Sequence, residues 1–248
     1  MSPVIRWTTK PAARGPVFAR PGRVNRAAKR GDRARRALNV VVAAVSLVFL
    51  APLLLVIAAA VKLSSPGPVL FTQERVGVDQ RRRPRDRRGS KRGGSDRRRT
   101  DSGGKVFTIY KLRTMYVSQG ETGQVWAQKD DPRITPVGRV LRALRFDELP
   151  QLWNVLRGEM NIVGPRPEQP EIFRHLRSEI TDYQRRQEVL PGITGWAQIN
   201  NGYDQTFWDV ERKVNYDLEY VRRRSTLEDL KIMVLTVPVV LGRKVFYH

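Results

Sequence analysis

Residues 37–61, ALNVVVAAVSLVFLAPLLLVIAAAV, carry no charged side chain over 25 positions. At 1.5 Å per residue a straight helix of that length reaches roughly 37 Å, enough for a hydrocarbon core of about 30 Å. A buried soluble helix is the weaker rival, because no face is polar. A cleaved leader would start nearer Met1 and end in a small-x-small site. The stretch is therefore expected to enter a membrane. Pro52, near its middle, has no N–H to donate and forces a kink or a break. Arg33, Arg35 and Arg36 precede the segment and Lys62 follows it, and such flanks hold both ends on the cytoplasmic side. A re-entrant helix that dips in and returns satisfies both facts, and a Pro-kinked span is the alternative.

Outward from this segment, the net charge of +22 over 248 residues suggests nucleic acid until it is located. Residues 1–36 hold 11 Lys/Arg and one Asp, and residues 80–103 hold 11 Lys/Arg and three Asp. The remainder is close to balanced. Both basic stretches are rich in Arg, Gly, Ser and Pro without an apolar pattern, so they are expected to be disordered and to face anionic lipid or nucleic acid. The membrane segment between them favours lipid, and no nucleic-acid partner is expected. The chain divides into a basic tail (1–36), a re-entrant membrane helix (37–61) and a cytoplasmic catalytic domain (62–248) interrupted by the 80–103 insert. It has no cysteine, so disulfides and thiolate metal sites are excluded. His175 is the one internal histidine, which leaves acid–base and metal chemistry to carboxylates.

Those carboxylates stand together in residues 142–168, RALRFDELPQLWNVLRGEMNIVGPRPE. Asp147 and Glu148 are adjacent at the expected start of a helix, Arg142 and Arg145 lead into them, and Arg166 sits between Pro165 and Pro167. A structural reading makes Asp147 the helix cap, with Glu148 and Pro150 suited to the first turn. It does not explain the cations. Guanidinium groups clamp phosphate oxygens, and a helix N-terminus offers free N–H groups to an anion. Two acids in a phosphate site would repel the substrate unless a divalent cation, Mg²⁺ by its preference for oxygen, lay between them. One carboxylate could then attack phosphorus.

Around this centre the expected elements are short. Val69–Glu74 and Lys105–Thr114 read as the strands of a hairpin that carries the basic insert as its loop. Lys111 and Arg113 alternate onto one face of the second strand, which suits phosphate or headgroup contacts, although a solvated edge is the plainer and favoured reading of that face. Thr135 or Pro136 starts a helix with Val137, Val140, Leu141 and Leu144 on one side. The carboxylate helix ends near Gly158. A helix over 170–187, of mixed charge, is expected to face solvent. PGITGWAQIN, residues 191–200, reads as a tight loop whose Trp196 stacks on a base, sits at an interface or packs in the core. Residues 226–241 suit a helix lying on the membrane or closing the core. The fold class is α+β, mainly helical: a re-entrant membrane helix, a small β-hairpin and short amphipathic helices at the membrane surface.

KLSSPGPVLFTQERVG, KVFTIYKLRTM, DELPQLWNVLRGEMNIVGPRPE, PGITGWAQIN, YDLEYV and DLKIMVLT follow one another in an order that resembles the bacterial sugar transferases, the monotopic polyprenyl-phosphate phosphoglycosyl transferases. The resemblance covers residues 29–241. It implies an enzyme on the cytoplasmic face of the bacterial plasma membrane, anchored by a proline-broken re-entrant helix. Such an enzyme moves a sugar 1-phosphate from a UDP-sugar to undecaprenyl phosphate with Mg²⁺, the first membrane step of exopolysaccharide or glycoconjugate synthesis. Asp147 matches the nucleophile that becomes a phosphosugar ester, with Glu148 assisting at the metal or in proton transfer. Arg166, Arg142 and Lys111 match phosphate-binding positions. Gly192, Thr194, Gly195 and Trp196 match a family loop to which no role is assigned.

Three departures qualify the resemblance. Arg145-Phe146 stand where many relatives have Ser-Leu, residues 80–103 have no counterpart in compact relatives, and the multi-helix membrane region of longer members is missing, as in a short, single-anchor form. Two rival functions are a catalytically silent membrane scaffold and a membrane-tethered nucleic-acid binder. The sugar is not legible, and association into a homo-oligomer is left open.

Overall fold

The computed structural model describes residues 26–79, 102–117, 131–200 and 207–240. Helix α1 (Arg26–Ser64) leads into an antiparallel hairpin of β1 (Leu70–Val76) and β2 (Val106–Leu112), with Phe71 opposite Lys111 and Arg75 opposite Phe107. Then come α2 (Pro136–Ala143), a 3₁₀ turn at Phe146–Glu148, α3 (Gln151–Leu156) and β3 (Asn161–Val163). The chain continues through α4 (Pro170–Glu179), a 3₁₀ segment at Tyr183–Glu188, β4 (Gly192–Thr194), α5 (Trp196–Asn200), α6 (Phe207–Arg223) and α7 (Thr226–Val240). β3 and β4 pair in parallel as a second small sheet. Among the described residues the fold is mainly helical with two two-stranded sheets, and both hairpin strands stand where their sequence pattern places them.

α1 begins at Arg26, well before the apolar run, so part of the basic tail is helical. Residues 1–25, and the basic insert through Asp101, lie outside the described residues. Among the described residues α1 is the one helix long and apolar enough to cross a membrane. It remains helical through Pro52. One face packs on the rest of the chain at helical spacing. Arg35, Asn39 and Ala43 are buried, Leu47 and Leu50 join a core with Phe107, Ile109, Leu152, Val155 and Met160, and Ile57 and Val61 join Leu112 and Leu141. The opposite face leaves Val41, Val45, Val48, Phe49, Leu55 and Val56 exposed.

Both ends of this helix are held by side chains of the same domain. At the N-terminal end Arg35 donates to Asp229 Oδ2 at 2.9 Å and to the Tyr220 hydroxyl at 2.8 Å, while Asn39 Oδ1 accepts from Ile162 N at 2.5 Å. At the C-terminal end Arg113 donates to the carbonyls of Val61 and Ser65, at 3.2 and 2.8 Å, and to that of Pro66. Helix C-termini leave carbonyls without donors, and Arg113 supplies them. It is a cap for α1 and not the phosphate or headgroup contact that its alternation with Lys111 suggested.

Two further expectations change, and the choice left open for the last helix is narrowed. The helix expected over 170–187 ends at Glu179, and Asp182 at φ 63° leads into a separate 3₁₀ segment; nor does it simply face solvent, because Phe173, Leu176 and Tyr183 are core residues with Val76, Val210 and Val214. The 191–200 stretch is no loop but β4 followed by α5. Trp196 packs in the core, donating Nε1–H to Glu219 at 2.9 Å. α7 has apolar residues both ways: Ile232 is buried, whereas Leu227, Val234 and Val237 are exposed. It closes the core and still presents an oily outer surface.

Candidate active site

Thr135 caps α2, its Oγ1 accepting from Gly138 N at 2.9 Å, and Pro136 fills the first helical position. The helix ends at Leu144, and Arg145 turns the chain through the left-handed region at φ 59°. A non-glycine residue there costs on the order of 1 kcal/mol, and the reversal delivers Phe146–Glu148 as a 3₁₀ turn. Asp147 is therefore not a helix cap: α3 starts one turn later with Pro150 at its cap position and no side-chain cap bond. Local preference loses here to the geometry that buries both acids.

The two acids have opposite surroundings. Glu148 Oε1 accepts from Arg166 Nη2 at 2.5 Å and from Lys111 Nζ at 3.1 Å, and Oε2 accepts from Arg166 Nη1 at 3.2 Å. Burial opposes the charge, but Arg166 and Lys111 hold the Glu148 carboxyl far below the usual carboxylate range. Asp147, 8 % exposed, makes no hydrogen bond or ion pair among the described residues. Burial, then the neighbouring Glu148 charge, push its carboxyl up, against the pull of Lys111, Arg166 and Arg142. The Arg142 side chain acts through this field, since it makes no hydrogen bond or ion pair among the described residues. Lys111 is pushed down by burial and by Arg166. It lies on the inward face of β2 with Phe107 and Ile109, so the solvated-edge reading of this lysine fails.

Arg166 is aimed by its backbone. Pro165 O accepts from Gly192 N at 3.0 Å, Arg166 O from Arg186 Nη2 at 3.1 Å, Pro167 O from Arg75 Nη1 at 3.1 Å and Glu168 O from Val76 N at 2.9 Å. Four successive carbonyls are thus gripped by four different residues, and the prolines remove most remaining freedom. Glycines permit the approach of β4, because a Cβ on Gly192 would meet Gly164 N at 2.1 Å. Behind the loop, Arg186 is clamped to Asp217 at 2.7 Å and Lys213 to Glu168 at 2.9 Å. Burial opposes ionisation of Glu168, yet Lys213, Arg186 and Arg75 hold its carboxyl at about 2. Asn154 joins the acidic turn to the lysine strand: its Nδ2 donates to Thr108 O at 2.7 Å and its Oδ1 accepts from Tyr110 N at 3.2 Å.

The structure thus brings Lys111, Asp147, Glu148 and Arg166 together, with Arg142 nearby. The sequence reading missed Arg75, Asn154 and Arg186. The one signal for Arg75 was its alternation with Phe71 and Gln73, which puts it on the same hairpin face as Lys111. A buried uncommitted carboxylate beside a cation-locked one is chemically able to act as a nucleophile toward a phosphoryl group.

Residues 30–83 and 94–243 match the model of the family described as bacterial sugar transferase. The chain is 42 % identical over 205 residues to the UDP-glucose:undecaprenyl-phosphate glucose-1-phosphate transferase of Escherichia coli (strain K12), a match that spans 82 % of this chain and 39 % of that protein. It is 37 % identical over 207 residues to the UDP-N-acetylgalactosamine-undecaprenyl-phosphate N-acetylgalactosaminephosphotransferase of Aeromonas hydrophila, 84 % of this chain and 43 % of that one. With a UDP-glucose:undecaprenyl-phosphate glucose-1-phosphate transferase of Caulobacter vibrioides it shares 40 % identity over 212 residues, 85 % of this chain and 70 % of that one. The chain spans about two fifths of the first two relatives. All the site residues fall inside the matched segments, and the chain belongs to the bacterial sugar transferase family.

Proposed function

We propose that the protein transfers a sugar 1-phosphate from a UDP-sugar to undecaprenyl phosphate by two displacements on Asp147. In the first, an Asp147 oxygen attacks the sugar-bearing phosphorus, the bond from that phosphorus to the bridging oxygen breaks, and UMP leaves with the electron pair. In the second, a phosphate oxygen of the lipid attacks the same phosphorus, the bond to the Asp147 oxygen breaks, and the carboxylate is restored. The observation that carries this reading is the asymmetry of the dyad. Asp147 is free to attack, while Glu148 is committed to Arg166 and Lys111.

Glu148 stays ionised in this scheme and orients the two cations instead of carrying a proton. Arg166, Lys111 and the field of Arg142 stabilise charge on the transferred group, which is most of what phosphoryl transfer requires. The described residues contain no cluster of three or more His, Asp or Glu side chains. The residues present fit an Mg²⁺ ion that draws most of its oxygens from diphosphate and water, with Asp147 as its open carboxylate and Glu148 beside it. Such an ion would neutralise diphosphate charge that the two acids repel.

The same proposal places the site on the cytoplasmic face of a bacterial plasma membrane, with α1 re-entrant rather than spanning. What supports it is that Arg35 and Val61, about 39 Å apart along a straight helix, both dock on one domain. The oily faces of α1 and α7 then meet lipid. The relatives differ in their named sugars, and the sugar stays unassigned. The test of the activity is UMP release by the full chain in lipid nanodiscs with undecaprenyl phosphate, Mg²⁺ and a panel of UDP-sugars. Release from at least one is expected, and release from none overturns the proposal.

A further inference from the structure

Beside the dyad lies a narrow cleft lined by Arg75, Ile109, Lys111, Gln151, Arg166 and Pro167, with room of about 10 Å³. That is space for one water-sized atom, not for a sugar or a base. Two donors at this cleft have no partner among the described residues. Gln151 is 1 % exposed and its Nε2 is buried without an acceptor, and so is Arg75 Nε. The other nitrogens of Arg75 are used, donating to Pro167 O at 3.1 Å and to Gln73 Oε1 at 2.6 Å. Buried donors in native proteins almost always find acceptors, so these two are arranged for something that arrives.

The chemistry of the lining says what arrives. Every charged group lining the cleft is a cation. Arg75 is pushed down by burial, and Lys111 by burial and by Arg166, so each gains from an incoming negative charge. The enclosed part of the cleft has room for a single oxygen.

Resting on the function proposed above, we propose that this cleft is an oxyanion hole for one non-bridging phosphoryl oxygen, with Gln151 Nε2 and Arg75 Nε as donors and Lys111 and Arg166 as its charge. The oxygen belongs either to the departing nucleotide phosphate or to the lipid phosphate. Gln151 touches substrate in this scheme, whereas Arg186, which holds the Arg166 carbonyl, is a positioning residue.

The test uses the full chain in nanodiscs and three readouts: calorimetric affinity for inorganic phosphate and for UMP, UMP inhibition of turnover, and KM for undecaprenyl phosphate. Gln151→Met keeps the length of the side chain and removes its donors. It is expected to weaken inorganic phosphate about tenfold, the loss of one charge-assisted hydrogen bond, and with it whichever of UMP and the lipid supplies the oxygen, with an unchanged melting temperature. Gln151→Glu keeps the shape and sets an anion against the ligand, so it weakens them further. It also carries the test if the Met variant does not fold. A weaker UMP inhibition with unchanged lipid KM assigns the oxygen to the departing nucleotide, and the reverse assigns it to the lipid. Affinities in both variants within twofold of wild type, or a wild-type protein that binds neither phosphate nor UMP, overturn the hole. A protein that binds phosphate through Gln151 but releases UMP from no UDP-sugar keeps the hole and loses the function.

Discussion

Among the buried polar clusters of the described residues, the one at the start of α1 and the one around Glu148 differ in whether they are complete. The one at the start of α1 is closed. Arg35 is shared between Asp229 and Tyr220, the Tyr220 hydroxyl also lies 2.8 Å from Asp229 Oδ1 and 3.1 Å from Val163 O, and Asn39 bonds the Arg35 carbonyl at 2.7 Å. The one around Glu148 is open. Among the described residues Asp147 has no donor, and Arg75 Nε and Gln151 Nε2 have no acceptor. The closed cluster is a lock between an apolar helix and the domain. The open one is arranged for chemistry. Burial is common to both, and the difference lies in unmet hydrogen-bonding capacity.

Breaking the open cluster at its centre has the largest effect. Asp147→Asn removes the attacking oxygen's charge, and UMP release should fall by on the order of 10⁴-fold, as for loss of a catalytic nucleophile. Stability should not fall with it. The Asp147 carboxyl is raised in the folded state, so the fold binds its proton more tightly than the unfolded chain and loses stability as pH rises through that interval. An amide escapes this penalty, and thermal melting at pH 7.5 should give a midpoint equal to or above wild type.

Breaking the closed cluster should do the opposite. Arg35→Met strands the buried Asp229 charge and should destabilise the fold by about 3–5 kcal/mol, read by denaturation in detergent. Arg35→Met with Asp229→Leu should recover much of it. At temperatures where the single variant is still folded, the rate of UMP release per folded molecule should stay near wild type. A loss of turnover as large as that of Asp147→Asn would erase the distinction between the clusters.

Glu148→Gln lies between these two. It leaves Arg166 and Lys111 without their shared partner, so both stability, by about 1–3 kcal/mol, and UMP release should drop. Because the Glu148 carboxyl is depressed, its contribution is present above the unfolded carboxylate range and is lost as pH falls toward its folded value. Melting profiles of wild type and variant should therefore converge in acid.

Arg145→Gly should have the smallest effect. Glycine accepts the left-handed turn at no steric cost, although it adds freedom to the unfolded chain. A shift in midpoint equivalent to less than about 1 kcal/mol is expected. The topology of α1 has its own test, because the chain has no native cysteine. Single cysteines at Asp32 and Lys62 should both resist an impermeant reagent on intact cells, and labelling of one alone would make the helix a span.

What the sequence showed and what it hid divide along the range of the interactions. The apolar run, the hairpin strands, the helix start at Thr135 or Pro136 and the adjacency of Asp147 and Glu148 are local, and each stands where pattern reading places it. Asp147 looked like a cap because local preference said so, yet the cap position of α3 belongs to Pro150. β4 looked like a loop because its partner is a three-residue strand some thirty positions upstream. Arg113 and Lys111 alternate identically in sequence, but one caps α1 and the other reaches Glu148. Nothing in the chain around Arg186 announces that its guanidinium holds the carbonyl of Arg166. The acids were legible, and the scaffold that aims their cations was not.

The central claim is that Asp147 itself receives the phosphosugar. Its direct test is the intact mass of the purified protein after incubation with an accepted UDP-sugar and Mg²⁺ in the absence of undecaprenyl phosphate, followed by peptide mapping. The expected result is a mass increase of one sugar phosphate per chain, located on Asp147, absent from Asp147→Asn and discharged when the lipid acceptor is added. Turnover with acceptor present, together with an unmodified protein without it or a sugar phosphate mapped to any other residue, would contradict the claim.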